Sequence, residues 1–176
     1  MSYEYFASSL PALRFGAPPP MDPAALLDAA RANLSAGDFA ALEAATAGRD
    51  GPGFAGTWHA IDSQLRNAVA RARAARRPGT DAAKFLRPHA GWSGAVDQGV
   101  AAAFAETDPL KRHLAIEHLR WDLAGEAART GIDPFSAAAV AAYGVRLSIL
   151  AGLAKIDPDA GLARLRAASG LRHSAD

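Results

Sequence analysis

The chain has 176 residues, enough to bury a sizeable core within one domain. Its 19 basic and 18 acidic side chains leave a formal net charge of +1, so no whole-protein field points to nucleic acid or to an anionic membrane surface. There is no cysteine, which excludes disulfides and thiolate metal sites and suits a reducing compartment.

The chain opens with Tyr3, Tyr5 and Phe6 beside an acidic Glu4, without the basic and long apolar stretches of a signal peptide. The stretch from Ser8 to Pro20 follows, with prolines at 11 and 18–20. These prolines remove backbone donors and fix φ, which predicts an extended or turn-like segment ending in polyproline II. Its Leu10, Leu13 and Phe15 must then pack on something else, as an address or a clasp.

Beyond residue 22 alanine dominates and β-branched residues are sparse, a helical bias. Asp-Pro occurs at Asp22-Pro23, Asp108-Pro109, Asp133-Pro134 and Asp157-Pro158, each before an apolar-periodic run. Asp at the N-cap with Pro at the first helical position is a strong start signal. Ser35 with Asp38, and Thr57 and Thr80, mark further starts. Helices are expected at 23–33, 36–47, 57–77, 81–87, 94–106, 109–130, 134–155 and 158–169, with Gly131 stopping the sixth and residues 172–176 frayed. The fold class is all-α. We expect a compact bundle of about seven or eight helices in a single domain, preceded by an extended segment over 1–22, with lobes at 23–93 and 94–170 as its one plausible subdivision. In 57–77, the stripe Trp58, Ile61, Leu65, Val69 and Ala72 is the expected core face; 134–155 carries a broad apolar face and should be central. The longest apolar run, Ala137 to Val145, is too short for a bilayer and ends at Arg146, so a cytoplasmic protein without membrane insertion is expected.

Few constellations carry chemistry. Residues 51–56 match GxGxxG, but a helix precedes them and Pro52 has no N–H, so an inter-helix loop is expected and nucleotide binding is not. Helix 57–77 bears Arg66, Arg71, Arg73, Arg76 and Arg77, with Arg66, Arg73 and Arg77 on one flank and Asp62 one turn before Arg66 as its partner. The flank reads either as a docking patch for an acidic partner or as cations complementing the helix dipole. Interleaved aromatics for single-stranded nucleic acid are missing. His113 and Glu117 lie one turn apart but have no matching second pair, so no metal site is assigned. Glu117 and Arg146 each interrupt an apolar stripe, which predicts either a structural ion pair between their helices or an Arg146 that snorkels to water. No nucleophile elbow, P-loop, HExxH or carboxylate pair is present, so no catalytic residue and no cofactor is assigned and the chain is not expected to be an enzyme.

Several segments together resemble a known family: Ser9 to Pro20 as S-L-P-x-L-x-F-G-x-x-P-P; Trp58 and Leu65-Arg66-Asn67-Ala68 running into Arg76-Arg77-Pro78-Gly79; Leu119-Arg120-Trp121; and Ala142 to Leu150. They look like a family of small helical proteins, a domain of unknown function, encoded with bacterial V-type (A/V-type) ATP synthases. The resemblance spans nearly the whole chain. It implies association with a rotary ATPase and thus with ion transport, peripheral to the inner membrane, but no chemistry. The family is also similar in helical character to the C (d-type) subunit, the rotor adaptor between shaft and membrane ring; this chain is shorter and has no detectable repeat.

The leading expectation is a non-catalytic subunit or accessory protein binding V-type ATPase subunits, through the surface of Leu10, Leu13 and Phe15 and the flank of Arg66, Arg73 and Arg77. Docking through the first three would stabilise a complex by about 1.5–3 kcal/mol for each large side chain fully buried. One alternative is a transient assembly factor. The other is a small helical ligand-binding protein or enzyme with a pocket between helices 109–130 and 134–155 that would hold His113, Glu117 and Arg146; a small-molecule ligand is not the leading expectation.

Overall fold

Three of the four Asp-Pro steps cap helices as their chemistry demands. Asp22 Oδ1 accepts from the Ala24 N–H at 2.7 Å, Asp108 Oδ1 from Leu110 at 2.8 Å, and Asp157 Oδ1 from Ala160 at 3.0 Å. The computed structural model describes residues 3–129 and 133–168; among them are eight α-helices and no strand. These are α1 (Glu4–Ser9), α2 (Pro23–Asn33), α3 (Ala36–Thr46), α4 (Phe54–Ala74), α5 (Gly94–Ala105), α6 (Pro109–Ala128), α7 (Ala137–Leu153) and α8 (Pro158–Ala168), with a single 3-10 turn at Ala82–Phe85. The all-α expectation is met. The stop at Gly131 and the frayed end at 172–176 fall outside the described residues.

Four local expectations are corrected. The N-terminal segment begins with a short helix, α1, that has no side-chain cap and is held by burial of Tyr3 and Phe6. α4 starts at Phe54 rather than 57, because Gly53 adopts φ +55° as N-cap and lets buried Phe54 and Ala55 enter the helix. The same turn absorbs the GxGxxG stretch. The helix expected over 81–87 shrinks to the 3-10 turn, which buries no residue and so has no packing to sustain it. α7 begins at Ala137: Asp133 caps the Phe135 N–H at 2.8 Å in a turn of its own, and Ser136 takes the N-cap of the helix.

Two central helices organise the core. α7 packs on α3 and α6 most extensively and also meets α2 and α4, while α4 meets α3, α5, α6 and α7. These contacts cross the boundary between 23–93 and 94–170, and one continuous apolar cluster runs from Tyr3 to Leu150. Of the α4 stripe, Trp58 and Leu65 are buried, and Ile61, Val69 and Ala72 pack half-buried against the core.

α4 also buries polar side chains, Asp62, Ser63, Gln64 and Asn67. Gln64 grips the Ser93 peptide, donating to its carbonyl at 2.8 Å and accepting its N–H at 2.9 Å. Asn67 does the same to Arg87, with both bonds at 2.8 Å. The two amides replace the backbone partners that an irregular stretch lacks, and so they moor the segment 75–93 to the bundle.

The N-terminal segment is a clasp on its own domain. Tyr3 donates its backbone N–H to the Phe135 carbonyl at 2.9 Å and its hydroxyl to Asp38 Oδ2 at 2.5 Å, beside the Ser35–Asp38 capping pair. Further along, Tyr143 donates to the Pro11 carbonyl at 2.9 Å, with burial pushing its phenol pKa up and keeping it a donor. Phe15 packs tilted against His118 and edge-to-face against Trp121, with ring centroids 4.5 and 5.7 Å away.

The Tyr3 hydrogen bond, then that from Ser35, holds the Asp38 carboxyl below its ordinary value of 3.8. A depressed folded pKa means that Asp38 contributes stability above the unfolded value, and that this is lost as pH falls through the folded one. Tyr3→Phe should raise the Asp38 pKa in a carboxyl-detected NMR titration and cost about 1.5 kcal/mol at neutral pH. An unmoved titration would show that the hydroxyl does not hold the carboxylate.

Candidate functional site

Three features outside the apolar core carry charge: an ion cluster between α4 and α6, a basic groove, and a crevice beneath the N-terminal clasp.

In the cluster, nearly buried Asp62 accepts from Arg66 Nε at 2.6 Å and from Arg120 Nε at 2.8 Å. Arg120 reaches on to Glu117 at 3.5 Å and lies over the Trp58 ring, 5.8 Å from its centroid. The Asp62–Arg66 pair expected from helical spacing is present. Glu117 corrects the predicted partnership with Arg146: it belongs to the α4–α6 cluster, because Arg120 lies one turn away on its own helix. Arg146 has no carboxylate within ion-pair distance among the described residues. Arg66 is bonded to Asp62 through Nε, with its side chain 47% exposed.

The basic groove, about 650 Å³, lies where the C-terminal end of α4 meets α5 and the start of α6. Arg73, Arg76, Arg77, Arg112 and His113 line it, together with Phe85, Phe104 and Ile116, and no acidic side chain contributes. Arg76 donates to the Phe104 carbonyl and stacks its guanidinium 5.0 Å from the Phe104 centroid. Arg112 lies 5.4 Å from the same ring and donates to the Glu106 carbonyl at 2.8 and 3.2 Å. Phe104 is thus a buried platform carrying two fixed guanidinium groups. Arg73 and Arg77 are exposed and make no ion pair among the described residues. Phe85 is 62% exposed and adds an apolar side chain to the groove.

The two halves of the predicted docking surface therefore separate. Arg73 and Arg77 line the groove. Leu10, Leu13 and Phe15 pack half-buried against the protein's own core, as the clasp that the sequence offered beside the address. Among the described residues no group of three His, Asp or Glu side chains is placed to hold a metal ion. His113 lines the groove while Glu117 faces Arg120, so the two do not converge. Sequence reasoning missed Arg112, whose guanidinium comes from the next helix but one, and Phe104, whose role is set by tertiary contact alone.

The crevice between the clasp, α6 and α7 has a volume of about 620 Å³. It lies between the two helices where a pocket was the alternative expectation. Arg146 lines it, but His113 and Glu117 do not.

Fold and site define a small all-α protein that presents a basic, partly apolar groove. No family model, no curated protein and no solved structure matches the chain.

Proposed function

We propose that this chain is a non-catalytic subunit or accessory protein of a bacterial V-type (A/V-type) ATPase, and that the basic groove docks an acidic segment of another ATPase subunit. The observation that supports docking is the groove itself: five basic side chains converge, none offset by a carboxylate in the lining, around exposed Phe85. The rotary ATPase enters through the family resemblance of the N-terminal, Trp58-to-Gly79, Leu119-to-Trp121 and Ala142-to-Leu150 segments. Cations on such a rim speed and steer association, while the apolar floor contributes buried area. Among the described residues no helix is long and apolar enough to cross a membrane, so attachment through protein contacts fits the reading.

The test is capture by the tagged full chain from native membranes at low and moderate salt, with bound proteins identified. Stoichiometric recovery of rotary ATPase subunits, weakening as salt rises, is expected. The double variant Arg73→Gln/Arg77→Gln should lose that capture while its melting temperature stays close to the parent's, since both side chains are exposed and unpaired. Recovery of the chain alone from membranes holding intact ATPase would overturn the stable-subunit reading, and capture indifferent to the double variant would remove the groove from it.

A further inference from the structure

Arg146 is a cation with no carboxylate within ion-pair distance among the described residues, Asp122 acting on it from farther away. It projects from the middle of α7, and its Nε donates to the Trp121 carbonyl at 2.9 Å. Its guanidinium lies over the Trp121 ring, 4.9 Å from the centroid. The end of the side chain rests on the α6 backbone at Gly125, where a Cβ would fall 2.0 Å from Nη2 and 2.6 Å from Cζ. A glycine inside a helix costs about 1 kcal/mol against alanine, and here it opens the notch that the guanidinium fills. Neither Nη atom has a hydrogen-bond partner among the described residues. Burial pulls the Arg146 pKa down, Asp122 opposing, as expected of a cation partly stripped of water and given no close counter-charge.

The crevice around this cation is open to solvent on one side and lined by both polar and apolar groups. Leu10 to Leu13 of the clasp form one wall, and Trp121, Ala139, Ala142 and Tyr143 contribute to the opposite side. Its volume lies in the range of small-molecule pockets, ~300–1,000 Å³. The charged lining residues are Arg146, Arg129 and Asp133, and Asp122 acts on Arg146 from outside the lining. Two lining cations against these two carboxylates leave no surplus for a dianion, so the one guanidinium with free N–H donors suits a singly charged anion.

We infer that this crevice binds a small monocarboxylate with an apolar body, its carboxylate on the Arg146 guanidinium and its body between the clasp and helices α6 and α7. The planar guanidinium presents parallel N–H donors that suit a carboxylate. The inference stands apart from the ATPase reading, and each fails by a different measurement.

The test is an NMR titration of the ¹⁵N-labelled full chain with hexanoate, with hexanamide and with inorganic phosphate. Saturable shifts of the Trp121 indole and the Gly125 amide are expected with hexanoate, with hexanamide about ten- to a hundredfold weaker for want of the charge-assisted bonds. Arg146→Gln should weaken hexanoate by a similar factor. Gly125→Ala should do so as well, by displacing the guanidinium while leaving every charge in place, so the test survives if one variant fails to fold. The inference falls if hexanoate gives no saturable shift at these groups, if it binds no better than hexanamide, if phosphate binds more tightly, or if folded variants bind like the parent.

Discussion

Asp62→Ala is expected to destabilise the protein by about 3 kcal/mol, a drop in melting temperature of roughly 6–12 °C for a chain of this size. Asp62 is the common acceptor of Arg66 and Arg120, and its side chain is only 6% exposed. Removing it leaves Arg120, 24% exposed, with Glu117 at 3.5 Å as its nearest remaining anion. Breaking a buried pair from one side costs about 3–5 kcal/mol, and the lower end applies because Arg66 is 47% exposed and can turn to water. Arg66→Ala should accordingly cost under about 1 kcal/mol, and Arg120→Ala should cost more than Arg66→Ala. Because the carboxylate is shielded from solvent, moderate salt should change the Asp62→Ala effect little. Thermal melts of the three variants decide it: a loss below about 2 °C for Asp62→Ala would show that the cluster is solvated and contributes little.

Much of the helix layout was legible because caps are local chemistry. Asp22, Ser35 and Asp108 bond backbone amides two or three residues away, and no distant part of the chain needs to be known for that. The errors arose where tertiary packing overrode local signals. Thr57 looks like a better start than Gly53, but burial of Phe54 and Ala55 extends α4 backwards. α1 has no side-chain cap, and the seating of Tyr3 and Phe6 in the core, with the Tyr3 bonds to Phe135 and Asp38, holds it as a helix.

The charged sites were less legible, since each draws its partners from helices remote in sequence. Spacing gave Asp62–Arg66 because both lie on one helix face one turn apart. It did not give Arg120, 58 residues from Asp62, which took Glu117 away from the expected partner Arg146. The groove was half visible as a run of arginines on α4; its other half, Arg112 and Phe104, depends on how α5 and α6 return to that helix. Gly125 did carry a signal in sequence, as a glycine inside an otherwise regular helical stretch. The reason for it becomes visible only when α7 lays Arg146 across it.

The same logic makes Gly144→Ala costly. Gly144 lies in α7 against α3, in the most extensive helix pair of the fold. A Cβ there would fall 2.5 Å from Leu42 Cδ1, 2.8 Å from Thr46 Cγ2 and 3.4 Å from Leu26 Cδ2. Leu42 and Leu26 are buried with nowhere to retreat, and the Thr46 hydroxyl is tied to the Leu42 and Glu43 carbonyls at 3.0 Å each. On an exposed helix the substitution would stabilise by about 1 kcal/mol through helix propensity. Here overpacking of about 1–3 kcal/mol opposes that gain, so the two helices must separate or Leu42 must leave its rotamer. The expected net result is a loss of up to about 2 kcal/mol, and Gly144→Val should lose more because its branched side chain adds two further methyls at the same contact. Denaturant unfolding of both variants beside Gly152→Ala makes the comparison, since Gly152 on the same helix has open space around its Cβ position. Stabilisation at Gly152 with destabilisation at Gly144 would show that the α3–α7 contact sets the requirement for glycine; equal gains at both would show that the interface yields to one methyl group.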